Sequence, residues 1–206
     1  MIPPCQKDAW NELYETQSRP WKGVASTIDF PFEKGNRILD VGCGNGKTSY
    51  ALIELGCIVT GIDISEAAVD SCKRMYGDAM NAIRASADSI PLENRSMDGA
   101  VMVHVLEHMT PGETEAALRE IRRVLKMNAK IFVRVFHKDD MRSDKGERID
   151  ENTVVRGNGI RYRYFSETEL KNVFLDFREI TTKRVDEMTK FKEKRSRIES
   201  IFERTA

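Results

Sequence analysis

Apolar positions along the chain follow two rhythms, short continuous runs and stripes spaced three to four residues apart. The runs read as buried strands and the stripes as amphipathic helices. Trp10, Leu13 and Tyr14 mark a helix over 6–17, and Arg19-Pro20-Trp21-Lys22-Gly23 a proline-marked turn after it. Strand-like runs follow at 37–41, at 57–62 and, more weakly, at 82–85, with helical segments at 47–55 and 65–75 between them. The run 99–105 is almost wholly apolar, as in a strand covered on both faces, and is expected at the centre of a sheet. Thr110-Pro111-Gly112-Glu113 joins a cap, a proline suited to the first helical position and a glutamate able to bond back to the cap, so a helix starts there. Its buried stripe is Leu118, Ile121, Val124 and Leu125. The next strand is expected over 130–136, and a second capping box, Ser166-Glu167-Thr168-Glu169, precedes a helix at 170–175. Strands at 178–185 and 196–204 would close the sheet, although Ile198, Ile201 and Phe202 also fit a helical face.

Strands alternating with helices predict an α/β fold, a Rossmann-like three-layer sandwich with a seven-stranded, mostly parallel sheet and helices on both faces. The length of 206 residues suits one well-buried core. In such folds a ligand lies beyond the carboxyl ends of the strands, where strand order reverses, and this puts the turn after 37–41 in the site.

Charge and cysteine usage narrow the classes. The 33 basic and 33 acidic side chains cancel, so no global field draws the chain onto nucleic acid or an anionic membrane. Cys5, Cys43, Cys57 and Cys72 form no CxxC pair, and His104, His108 and His137 do not complete a zinc-ligand spacing with them, so neither a metal nor a disulfide framework is expected. A reducing, cytoplasmic setting is the corresponding expectation. The first residues lack a basic stretch followed by an apolar one, and no window approaches the roughly 20 apolar residues of a membrane span.

In Leu39-Asp40-Val41-Gly42-Cys43-Gly44-Asn45-Gly46 the glycines open backbone angles closed to other residues and let a ligand approach the main chain. Alone, such a turn is as often a tight connection as a binding loop. Gly61-Ile62-Asp63-Ile64 changes its weight, because an acidic residue about 20 positions beyond the glycines is placed to accept from both hydroxyls of a ribose. A dinucleotide fingerprint needs a glycine where Lys47 stands, and a P-loop needs one where Val41 stands. Neither motif is present.

Residues 38–46 resemble motif I of the class I S-adenosylmethionine-dependent methyltransferases, and Gly61 to Ser65 resembles their following acidic motif. Ala87-Asp88 with Ile90-Pro91-Leu92 is similar to the family's adenine loop, 96–108 to its fourth strand and exit, and 121–126 to the helix before its fifth strand. The resemblance spans about 35–136 and implies S-adenosylmethionine as cofactor. It implies that Asp40, Gly42, Cys43, Gly44 and Gly46 surround the methionine part, that Asp63 with Ile64 holds the ribose and Ala87 with Asp88 the adenine, and that His104 and Val105 line the cofactor from the fourth strand. The expected organisation is one methyltransferase domain over 1–206, with a helical cap at 1–34, a cofactor-binding core at 35–136, and a substrate-side lid with terminal strands at 137–206.

Methyl transfer from a sulfonium is an in-line displacement that needs alignment and exclusion of water, and a base only for some acceptors. His104, Glu107 and His108 are candidates for taking a proton, or they shape the turn after the strand. The Asp/Asn-Pro-Pro-aromatic clamp of adenine-amino methylating enzymes is absent after the fourth strand, as is the cysteine pair that attacks pyrimidine carbon. The acceptor is expected to be a small molecule or an RNA base. Val155 to Ser166 is similar to a stretch of the cytidine-methylating transfer-RNA enzymes. There Arg156, Arg161 and Arg163 suit phosphates and Tyr162, Tyr164 and Phe165 suit a base, with Lys190, Lys192, Lys194, Arg195 and Arg197 as a further basic edge. The alternative is a solvated loop and charged hairpin, given Asp139, Asp140, Asp144, Glu147, Asp150 and Glu151 nearby. Tyr14 and Trp21 are expected on the substrate side, and Trp10 in packing. A non-catalytic binding module and a nicotinamide oxidoreductase are the rival classes.

Overall fold

The computed structural model describes residues 6–17, 28–189 and 191–205. The turn at 19–23, with Trp21, and Lys190 lie outside the described residues.

Five parallel strands carry the cofactor half of a seven-stranded sheet: β1 (Arg37–Val41), β2 (Ile58–Asp63), β3 (Met80–Arg84), β4 (Met97–Val103) and β5 (Leu125–Phe136). The antiparallel pair β9 (Phe177–Met188) and β10 (Lys194–Arg204) completes it in the order β3-β2-β1-β4-β5-β10-β9. The ambiguous segment 196–204 is therefore a strand. Its alternation decides this, because Ile198 and Phe202 face the core with Ser196 and Ser200 while odd-numbered side chains take the other face. As expected, β4 lies at the centre of the sheet.

The helices α2 (Lys47–Glu54), α3 (Glu66–Tyr76), α4 (Pro111–Val124) and α5 (Glu167–Val173) alternate with the strands. Both expected capping boxes form, Thr110 with Glu113 and Ser166 with Glu169. Two apolar clusters flank the sheet: Ala117, Leu118, Ile121, Ile131 and Val133 belong to one, and Ile38, Leu52, Val59, Val101 and Phe132 to the other. The fifth strand starts at Leu125, earlier than the pattern implies, so Leu125 leaves the helical stripe of α4 and opens β5. The fourth strand ends at Val103, two residues early, because His104 turns to a φ of 58°.

The segment after β5 is built rather than loose. The strands β6 (Glu147–Asp150), β7 (Thr153–Val155) and β8 (Arg161–Arg163) form a second, antiparallel sheet. The N-terminal helix α1 (Gln6–Thr16) joins this sheet to the cofactor half. Gln6 bonds the carbonyl of Gly159 and the amide of Arg161, each at 3.0 Å, while Asn11 accepts from Ser65 Oγ at 3.1 Å at the start of α3. Among the described residues no helix is long and apolar enough to cross a membrane.

Candidate functional site

Strand order reverses between β1 and β4, and the glycine turn leaves β1 at that point. Gly42 and Gly44 have φ values of 65° and 54°, a region costly to side chains. A Cβ on Gly42 would stand 2.5 Å from Val105 Cγ2, and one on Gly44 2.3 Å from the Tyr14 hydroxyl. The turn is held from the next strand: Asp63 Oδ2 accepts from Gly44 N at 2.9 Å, and Oδ1 accepts from Ser65 N at 2.9 Å. Asp63 thus fixes the turn as well as bordering the space in front of it. Burial raises its pKa against the amide bonds it accepts from Ser65, Gly44 and Ile64.

A cavity of about 700 Å³ opens here. Of the expected cofactor residues, Gly42, Cys43, Gly44, Asp63, Ile64, Ala87, Asp88, His104 and Val105 line it. Gly46 and Asp40 stand behind that wall. Gly46 caps α2, where a Cβ would meet Tyr76 Cε2 at 2.3 Å, and Asp40 is buried and accepts from Ser49 Oγ at 2.5 Å. A turn that lacks side chains at Gly42 and Gly44, a carboxylate beside it and an acidic loop at Asp88 form a donor and acceptor set that fits a nucleoside with an amino-acid tail.

Burial, partly offset by the Ser49 bond and reinforced by the charge of Asp63, raises the Asp40 pKa to about 7. An unfolded aspartic acid titrates near 3.9, so the folded chain keeps an extra proton from about pH 4 to 7, and this contribution to stability is lost as pH rises through that window. Burial lowers His108 to about 4, which acts in the opposite sense: stability is gained as pH rises from about 4 towards 6.5. The opposing slopes make the difference between wild type and Asp40→Asn the informative quantity. The Asn variant is expected to gain on the wild type between pH 4 and 7, by on the order of 4 kcal/mol, and to gain no more above pH 7. Denaturant unfolding at several pH values measures that gap, and a gap independent of pH would contradict the buried, protonated carboxyl.

The far side of the cavity is aromatic and basic. His104 stacks on Phe136 with ring centroids 4.1 Å apart, and its Nδ1 stands 2.9 Å from Glu107 Oε1. Glu107 is fully buried and its Oε1 also accepts from Phe136 N at 2.9 Å. Burial lowers the His104 pKa, aided by the charges of Arg134 and Arg142 and resisted by Glu107, so the ring is neutral at neutral pH. With its proton on Nδ1, His104 donates to Glu107 and keeps a lone pair on Nε2. His108 lines the cavity too, but is occupied by packing: its Nδ1 meets the Arg161 carbonyl at 2.6 Å and its ring sits edge-on to Trp10 and Tyr162.

The expected substrate-side residues divide. Tyr14 and Tyr162 line the cavity. Arg156, Arg161 and Arg163 are not among its lining residues. Arg156 lies 3.7 Å over the Tyr162 ring and donates to the Tyr164 hydroxyl, Arg161 donates to the His108 carbonyl and pairs with Glu113, and Arg163 lies over Phe165. The cations that do reach the cavity are Lys47, Arg134, Arg142, Arg195 and Arg197. Arg134 is missed by motif reading, although an arginine inside the apolar run 131–136 is itself a signal, since a charge there must be buried and matched. Among the described residues no cluster of three His, Cys, Asp or Glu is placed to hold a metal ion.

Residues 39–133 match the methyltransferase domain family. Over 174 residues the chain is 28% identical to the chicken (Gallus gallus) tRNA N(3)-cytidine methyltransferase METTL2, covering 75% of this chain and 46% of that protein. It is 34% identical over 105 residues to the O-methyltransferase resE of Aspergillus sclerotiorum, covering 48% and 39% respectively. The chain spans about half the length, or less, of the curated relatives it matches. The fold matches a crystal structure of a SAM-dependent methyltransferase from Methanosarcina mazei with a TM-score of 0.74 at 23% identity, over 86% of this chain and 98% of that one. Motif order, sheet order and these matches agree, and residues 39–133 form a methyltransferase domain of the class I S-adenosylmethionine-dependent family.

Proposed function

We propose that the chain transfers the methyl group of S-adenosylmethionine to a small-molecule acceptor held in the same cavity. The supporting observation is that a single cavity joins the glycine turn and Asp63 to His104, Phe136 and Arg134. Bound there, S-adenosylmethionine supplies a methyl group on a sulfonium, whose sulfur keeps the bonding electrons when the acceptor's lone pair takes the carbon. Gly42 and Gly44 give the main-chain approach, Asp63 accepts from the ribose, and Asp88 faces the adenine. His104 takes the acceptor's proton at Nε2 while Glu107 fixes its ring. The helix α1, through Gln6, Trp10 and Tyr14, and the small sheet, through Tyr162, border the same cavity and are placed to limit water around the reacting atoms.

A transfer-RNA base is the second reading, favoured by the similarity to the chicken tRNA N(3)-cytidine methyltransferase. The small molecule is preferred because Arg156, Arg161 and Arg163 spend their guanidinium groups on Tyr162, Tyr164, His108, Glu113 and Phe165. Incubation with methyl-labelled S-adenosylmethionine, total transfer RNA and a metabolite extract in separate reactions tests the choice. Label is expected in the metabolite fraction; label in RNA alone would replace this reading by the second, and label in neither would leave a binding module.

A further inference from the structure

Cofactor binding and proton transfer leave one wall of the cavity unused. Arg134 on β5 opposes Glu199 on β10, and Phe136 opposes Arg197, so Arg134, Phe136, Arg195 and Arg197 share one face of the sheet. Lys47 joins them from the first turn of α2. These charges converge: burial first, and then Arg134, Arg195 and Arg197, push the Lys47 ammonium below its ordinary pKa. Two carboxylates answer them. Glu199 pairs with Arg134 and with Lys183, and Glu187 pairs with Arg197. Lys47 and Arg195 form no ion pair among the described residues. Arg134 is only 7% exposed, and the Nε atoms of Arg134, Arg195 and Arg197 are buried without a hydrogen-bond partner among the described residues.

Gathering like charges in a partly buried wall is costly unless an anion completes it. The wall also has a defined place relative to the chemistry. His104 N donates to the Arg134 carbonyl at 2.9 Å, and the His104 ring stacks on Phe136, so the cations stand one strand away from the candidate base. The acidic residues Asp63 and Asp88 lie on the nucleoside side. The cavity is therefore polarised, acidic where the nucleoside goes and basic beyond it.

We infer that Lys47, Arg134, Arg195 and Arg197 bind an anionic group of the methyl acceptor, a carboxylate or a phosphate monoester, with the ring of Phe136 beside it. The inference rests on the methyltransferase reading of this cavity. It makes the acceptor a small organic anion whose nucleophile is presented to His104 while its charge is held by the guanidinium wall. Arginine forks match either anion in bidentate geometry.

Arg195→Gln is the informative variant, because among the described residues Arg195 has no ion-pair partner to be left stranded. Wild type and variant, each saturated with S-adenosylhomocysteine, are titrated with benzoate, phenyl phosphate and neutral benzamide. The wild type is expected to bind benzoate or phenyl phosphate at least about tenfold more tightly than benzamide, and the variant to lose most of that preference, as for loss of a charge-assisted hydrogen bond. Affinity for S-adenosylhomocysteine should be the same in both. No anion preference in the wild type, or the same preference in the variant, would overturn the inference while leaving the methyltransferase reading intact. An equal loss of S-adenosylhomocysteine affinity would assign the wall to the cofactor's own carboxylate, and Arg195-dependent binding of a transfer-RNA transcript alone would assign it to RNA. Either result would overturn the small-anion inference. Failure of S-adenosylhomocysteine to bind the wild type would remove the methyltransferase reading and this inference with it.

Discussion

Replacing His104 by asparagine is expected to lower methyl transfer by about 10²- to 10⁴-fold, the range set by a positioned base, while leaving cofactor affinity nearly unchanged. Asparagine is the informative replacement because His104 has a φ of 58°, a left-handed conformation that asparagine tolerates better than alanine does. The strand end is thereby kept and the imidazole removed. The ring's surroundings set the size of the effect: it is neutral, stacked on Phe136 at 4.1 Å and held by the buried Glu107 at 2.9 Å. Single-turnover release of S-adenosylhomocysteine with the acceptor fraction found by labelling measures the change. A variant with wild-type turnover would reduce His104 to a wall of the cavity.

Asp63→Ala is expected to weaken cofactor binding by about 1–3 kcal/mol, roughly 5- to 150-fold, the usual cost of losing hydrogen bonds to a charged group. The structure adds a second consequence. The same carboxylate accepts from Gly44 N and Ser65 N, so its removal leaves these amides at the turn without their acceptor. The apo protein should therefore lose about 1–3 kcal/mol of stability as well. Titration calorimetry and denaturant unfolding of the same variant separate the two effects. Unchanged affinity would displace Asp63 from the ribose, and unchanged stability would deny it a role in holding the turn.

The wall of this cavity that the strand ends build was legible because its parts are local. Residues 42–45, 63–64, 87–88 and 104–105 each end or follow one strand, and a parallel sheet brings successive strand ends to one edge. The acceptor side is assembled across long separations, from β5, β10, α1 and the small sheet, and no short stretch encodes it. Arginines next to tyrosines at 156–164 carry the same composition whether they meet phosphate or stack internally on Tyr162 and Phe165. Only the packing distinguishes those outcomes. Arg195 and Arg197 were visible as a basic edge, but the register of β10 against β5 is what turns them towards Arg134 and the cavity. The segment 196–204 shows the same limit within one element, since Ile198 and Phe202 fit a helical face until β5 is there to pair with.

The central claim, that the glycine turn, Asp63 and Asp88 form a binding site for S-adenosylmethionine, is tested most directly by calorimetry of the wild-type chain with S-adenosylhomocysteine and, separately, NADH. Saturable binding of S-adenosylhomocysteine at one site per chain, and none of NADH, is expected. Binding of NADH without S-adenosylhomocysteine would contradict it.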